Sequence, residues 1–139
     1  MQPETAAAIR AVWEKVHSPG GFPFPATVAA LTDAGVTRYR ADYTAATVTA
    51  YLDDTGESYV SPLTVKHTGT AGMKWDPAGL KAAIKGAQAG TIGNYHDFSD
   101  AAVRAGVVDY DCFISGQKVV YHGALGDSHV EWFPGAKKD

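Results

Sequence analysis

Apolar side chains recur at helical spacing near the start of the chain. Ile9, Val12, Trp13 and Val16 form one stripe, Pro3 stands where a first helical turn tolerates proline, and His17-Ser18-Pro19-Gly20-Gly21 stops the pattern. After Phe22-Pro23-Phe24-Pro25 the spacing predicts a second helix with Val28 and Leu31 inward and Gly35 as its left-handed end. β-branched and aromatic residues then predict strands over 36–43 and 47–52 and a short one over 58–60, with Asp53-Asp54-Thr55-Gly56 as a hairpin link. Residues 61–75 carry the least pattern and read as a linker, with Leu63, Thr64 and Val65 as one more short extended piece. The pattern then restarts. Asp76-Pro77 is a cap followed by a first-turn proline, Leu80, Ile84 and Ala87 make a narrow stripe, and Gly90 closes it. Asn94 caps a further helix carrying Phe98, Ala102 and Val103, Gly106 ends it, and strands follow over 107–114, 117–122 and 128–133.

The restart is register-matched. Ala34-Gly35-Val36 answers Ala105-Gly106-Val107 and Tyr39 answers Tyr110, each 71 positions on. Later pairs (Tyr51 with Tyr121, Gly56 with Gly126, Ser58 with Ser128, Val60 with Val130) stand 70 apart, which puts a one-residue loss in the second copy's first turn. The expectation is an α+β fold with an internal duplication of a helix-helix-strand-strand-strand unit and a mainly antiparallel sheet packed with helices. One domain fills residues 1–139: a first repeat over 1–60, the linker over 61–75 and a second repeat over 76–134. A lone hairpin is marginal in water, so the two units are expected to close each other's cores.

The length suits one self-sufficient domain, and 19 % charged and 45 % apolar residues describe a folding chain. A net charge of −3 argues against a nucleic-acid partner, which needs a basic face. A single cysteine, Cys112, rules out an intramolecular disulfide and a thiolate-built zinc site. Met1-Gln2-Pro3-Glu4 lacks the basic start and apolar run of a signal peptide, and no stretch approaches the roughly 20 apolar residues of a membrane span, so a cytoplasmic location is expected.

A helix ending in Ala-Gly-Val followed by Tyr, the strand Thr47-Val48-Thr49-Ala50-Tyr51, Gly56-Glu57, Tyr121-His122-Gly123 with Gly126, and the closing Phe133-Pro134 resemble the YdfO-like (YbcV-like) family. These are small bacterial and prophage proteins of uncharacterised function, sometimes labelled phage envelope proteins. The resemblance spans 22–134. It implies a phage or prophage association and transfers no catalytic residue.

The histidines His17, His67, His96, His122 and His129 are scattered without ligand spacing, so neither a metal nor a cofactor is expected. Pairing His122 with Ser128 sets Tyr121 opposite His129 and Val119 opposite Glu131, with Val120, Val130, Trp132 and His122 on the other side. The same register in the first copy opposes Tyr51 and Tyr59. Taking the valine side as core leaves Tyr51, Tyr59, Tyr121, His129 and Glu131 as the candidate ligand-binding face. Cys112 reads as a buried, inert thiol. Gly69-Thr70-Ala71-Gly72-Met73-Lys74 lacks the Gly-Lys-Ser/Thr ending of a phosphate loop, and Asp53 to Glu57 falls short of a calcium loop. The functional expectation is a non-enzymatic binding or interaction module for a protein or small-molecule partner, with a homodimer compatible. The alternative is an enzyme acting on a small polar substrate, with His129 and nearby carboxylates as acid and base.

Overall fold

Each half of the chain contributes two helices and three strands. The computed structural model describes residues 1–67 and 72–136. In chain order the elements are α1 Pro3–Val16, α2 Phe24–Asp33, β1 Arg38–Asp42, β2 Thr47–Leu52, β3 Glu57–Pro62, α3 Pro77–Ala89, α4 Tyr95–Arg104, β4 Val107–Phe113, β5 Lys118–Gly123 and β6 Ser128–Trp132. The strands form one sheet in the order β3-β2-β1-β4-β5-β6, antiparallel throughout. The halves meet where β1 pairs with β4. The fold is α+β.

Local chemistry explains where the helices begin and end. Asp76 and Asn94 cap α3 and α4, their side chains accepting from the N–H groups of Gly79 (3.0 Å) and Asp97 (2.9 Å). α1 and α2 instead carry proline in the first turn, where its missing N–H costs nothing. Gly35 and Gly106 leave α2 and α4 with φ of +88° and +99°, a region in which a Cβ is penalised. Gly106 has a second constraint, because a Cβ there would lie 2.2 Å from the Lys74 carbonyl oxygen.

Strand alternation buries one face of the sheet. Tyr39 and Ala41 of β1, Val48, Ala50 and Leu52 of β2, Tyr110 and Cys112 of β4, and Val119 and Tyr121 of β5 join a core completed by Ile9, Leu31, Leu80 and Val103 from the four helices. Ile9, Leu31 and Leu80 are wholly buried, each worth about 1.5–3 kcal/mol relative to exposure. Cys112 lies in this core, and burial pushes its thiol up to about 12 against the opposing hydrogen bond from Tyr39, which keeps it in the thiol form at neutral pH. The helices thus cover one face only. At the centre of the open face, Arg40 pairs with Asp109 (2.9 Å) and Asp111 (3.0 Å), and His122 Nδ1 lies 2.7 Å from Asp109. Partial burial disfavours the guanidinium charge, but these carboxylates outweigh that and raise its pKa.

Four expectations change. β3 runs to Pro62, so residues 61 and 62 belong to the sheet and not to the linker, and residues 63–65 form no strand. Leu63 is instead buried, its N–H bonded to the Ala46 carbonyl. Tyr59 stands opposite Ala50, and Tyr51 opposite Ser58, so Tyr51 and Tyr59 do not pair. The first turns of the two halves are equal in length, with left-handed Ala46 and Gln117 at matching positions, and the one-residue loss falls in the second turn, between β5 and β6. Ala50, not Tyr51, therefore matches Tyr121. The β5–β6 register is the expected one, but its faces are exchanged: Tyr121 is buried, while Val130 is 45 % exposed on the open side. A tyrosine ring buries more apolar area than a valine, and here the aromatic side meets the helices. Among the described residues no helix is long and apolar enough to cross a membrane.

Candidate functional site

The helices do not seal the buried face of the sheet completely. Between the two helix pairs lies a cleft of about 510 Å³. Tyr39, Tyr110, Val119 and Tyr121 line it from the sheet, Trp13 and His17 from the end of α1, Ile84 and Ala87 from α3, and Tyr95 and Phe98 from α4. Phe22 and Phe24 border it, and Phe24 meets Phe133 edge-to-face at 5.2 Å, joining the start of α2 to the residue after β6. Helix positions 71 apart show where the room comes from. Where α1 brings Val12, Trp13 and Val16, α3 brings Ala83, Ile84 and Ala87, and the smaller side chains leave space over the sheet. Ala87, expected in the core, is therefore exposed to the cleft.

The polar groups around the cleft are mostly uncharged. Tyr110 and Tyr95 share a hydroxyl–hydroxyl bond; the Tyr43 hydroxyl lies 3.5 Å from Tyr95 and donates to Ser99 at 3.1 Å. Burial raises the pKa of Tyr39, Tyr95, Tyr110 and Tyr121, so these phenols remain protonated and can donate hydrogen bonds. At the junction of the halves, His96 Nδ1 accepts from the Lys66 N–H (2.9 Å), which leaves its Nε2–H to donate to the His17 carbonyl (2.6 Å). His17 Nδ1 contacts Thr64 Oγ1 at 3.0 Å, and its ring is layered between Trp13 and Tyr95. Burial, and then the proximity of His96, lower the His17 pKa to about 4, so His17 is neutral at pH 7.

Three of the five candidate residues come together here. Tyr121 and Glu131 both line the cleft, and His129 stacks on Tyr121 with ring centroids 6.4 Å apart while its Nε2 lies 3.1 Å from Glu131. His129 itself lines a second groove along α3 with Lys81 and Lys85, and Glu131 borders both spaces. Tyr59 is on the helix-covered face but at the far edge, where its hydroxyl accepts from Arg10 at 2.7 Å. Tyr51 is on the open face under Arg38, 3.8 Å from the ring centroid. The Asp53 turn is tied down by Thr37 (2.5 Å) and Arg38 (3.0 Å), and these bonds lower its carboxyl pKa. Among the described residues no group of three or more His, Cys, Asp or Glu converges as a metal site. Of the loop compared with a phosphate site, Gly69 to Ala71 lie outside the described residues.

The sequence reading did not single out Trp13, His17, Tyr39, Tyr95 and Tyr110 for the site. Tyr39 and Tyr110 carried a signal, since their match across the repeats put both on equivalent strand positions. His17 carried none, because it stands inside a helix-stop signal. No protein-family model matches the chain, and no curated protein matches it.

Proposed function

We propose that this chain is a non-enzymatic binding protein whose cleft receives one small, largely apolar ligand with a flat aromatic surface. The observation that carries this reading is the cleft itself: about 510 Å³, walled by aromatic rings, with a few fixed hydroxyl groups. Volume and lining both match those of small-molecule sites, which are mostly apolar with a few polar groups that set orientation. Stacked and edge-to-face aromatic contacts supply affinity for flat rings. The repeated element order supports descent of the two halves from one duplicated unit. The resemblance to YdfO-like proteins supports a bacterial or prophage setting, and the single cysteine supports a cytoplasmic location as part of the same proposal.

The test is a titration with pyrenemethanol, an uncharged flat probe, read through quenching of tryptophan emission, to which Trp13 and Trp132 at the cleft contribute. Saturable one-to-one binding is the expected result. Absence of saturation up to the probe's solubility limit contradicts the reading.

The enzymatic alternative keeps one supporting observation, the 3.1 Å approach of His129 Nε2 to Glu131. A histidine beside a carboxylate can act as acid or base. Nε2, however, is already engaged by Glu131, and His129 faces the groove along α3 rather than the cleft.

A further inference from the structure

We infer that the cleft prefers aromatic ligands carrying a positive charge, an inference that rests on the binding reading above. The charged side chain lining the cleft is Glu131; no lysine or arginine lines it among the described residues. Glu131 projects from β6 opposite Val119, on the same face as Tyr121, and both Glu131 and Tyr121 line the cleft. Tyr39, Tyr110, Tyr95 and Phe98 also line the cleft. Aromatic faces attract cations through their quadrupoles, and a carboxylate at the rim adds a direct partner. An anion would find neither attraction, and would leave its solvation for a site that already holds a negative charge.

The groups facing Glu131 from elsewhere do not remove the bias. His129 contacts it through Nε2, and Lys81 and Lys85 stand along the adjoining groove without forming an ion pair with it.

The experiment compares three probes that share one ring system: pyrenemethylammonium, pyrenemethanol and pyrenecarboxylate. Each is titrated into the whole chain at about pH 8, above the ordinary histidine range. The ammonium should bind about tenfold more tightly than the alcohol, the advantage expected of a desolvated cation–π site with a carboxylate. The carboxylate probe should bind most weakly. Glu131→Gln keeps shape and removes charge, so it should cut the ratio of ammonium affinity to alcohol affinity several-fold. Equal affinities for the three probes, a preference for the anion, or an ammonium advantage that survives Glu131→Gln would overturn the charge preference while leaving the cleft as a binding site. Failure of all three to bind would overturn the binding reading itself.

Discussion

The two halves build the same framework and fill it oppositely. Ile9, Val12, Trp13 and Val16 on α1 match Leu80, Ala83, Ile84 and Ala87 on α3, while on the sheet Ala50 matches Tyr121 and Ser61 matches Glu131. The first half puts its bulk on the helix, where Trp13 meets Tyr39 edge-to-face at 5.1 Å. The second carries Tyr121 on the sheet, against Phe98 and Tyr110, and alanines on α3. Close packing tolerates either arrangement provided the total volume is conserved. Conservation is incomplete, and the cleft with its one carboxylate lies between the two helix pairs, lined from both halves. Two halves with the same element order can thus keep the same strand pairing while exchanging residue size.

Truncation at the matched helix positions gives the largest expected effects. Trp13→Ala should destabilise the protein by about 3–5 kcal/mol and Ile84→Ala by about 2–3 kcal/mol, because the larger Trp13 side chain leaves the larger cavity. Chemical denaturation of both variants checks this, and an Ile84 cost equal to or above that of Trp13 breaks the comparison. The matched glycines come next. Both need the left-handed conformation, but only Gly106 abuts a backbone carbonyl, that of Lys74. Gly35→Ala should cost about 1 kcal/mol and Gly106→Ala about 3 kcal/mol or more, the excess arising from overpacking against atoms that cannot rotate away. Equal costs would mean that the Lys74 segment yields freely.

A smaller effect distinguishes His17 from Gln88, its match 71 positions on. Folding lowers the His17 pKa from about 6.5 to about 4, chiefly by burial. Between those values the unfolded chain binds the proton and the folded chain does not, so stability falls as pH drops from 6.5 towards 4. His17→Gln, which copies the second half, should show a shallower loss over that window in denaturation curves taken at each pH. An unchanged slope would assign the acid sensitivity to other groups.

Much of this architecture was legible in the sequence because its signals are local. Stripes at Ile9 to Val16 and Leu80 to Ile84, caps at Asp76 and Asn94, and glycines at 35 and 106 each depend on neighbours a few residues away. What failed to read out depends on partners distant in the chain. Alternation told that Tyr121 and Val120 point to opposite sides, but which side meets the helices is decided by packing between elements. The Tyr51 and Tyr59 pairing failed for a related reason, because one residue of difference in the second turn shifts every later match. Within the site, Tyr121, His129 and Glu131 were found through strand register, whereas Trp13, His17 and Tyr95 reach the cleft only through helix docking.

The central claim is that the cleft between the two helix pairs holds a ligand, and Ala87→Trp tests it most directly. Ala87 is exposed at the cleft and matches Val16, so a tryptophan there fills the opening from a helix surface without entering the packed core. Titration of pyrenemethanol, read by pyrene emission, should saturate at one probe per chain in the wild type and lose at least tenfold in affinity in the variant, with thermal stability retained. Equal binding by the two proteins would contradict the account, because the probe would then be held elsewhere.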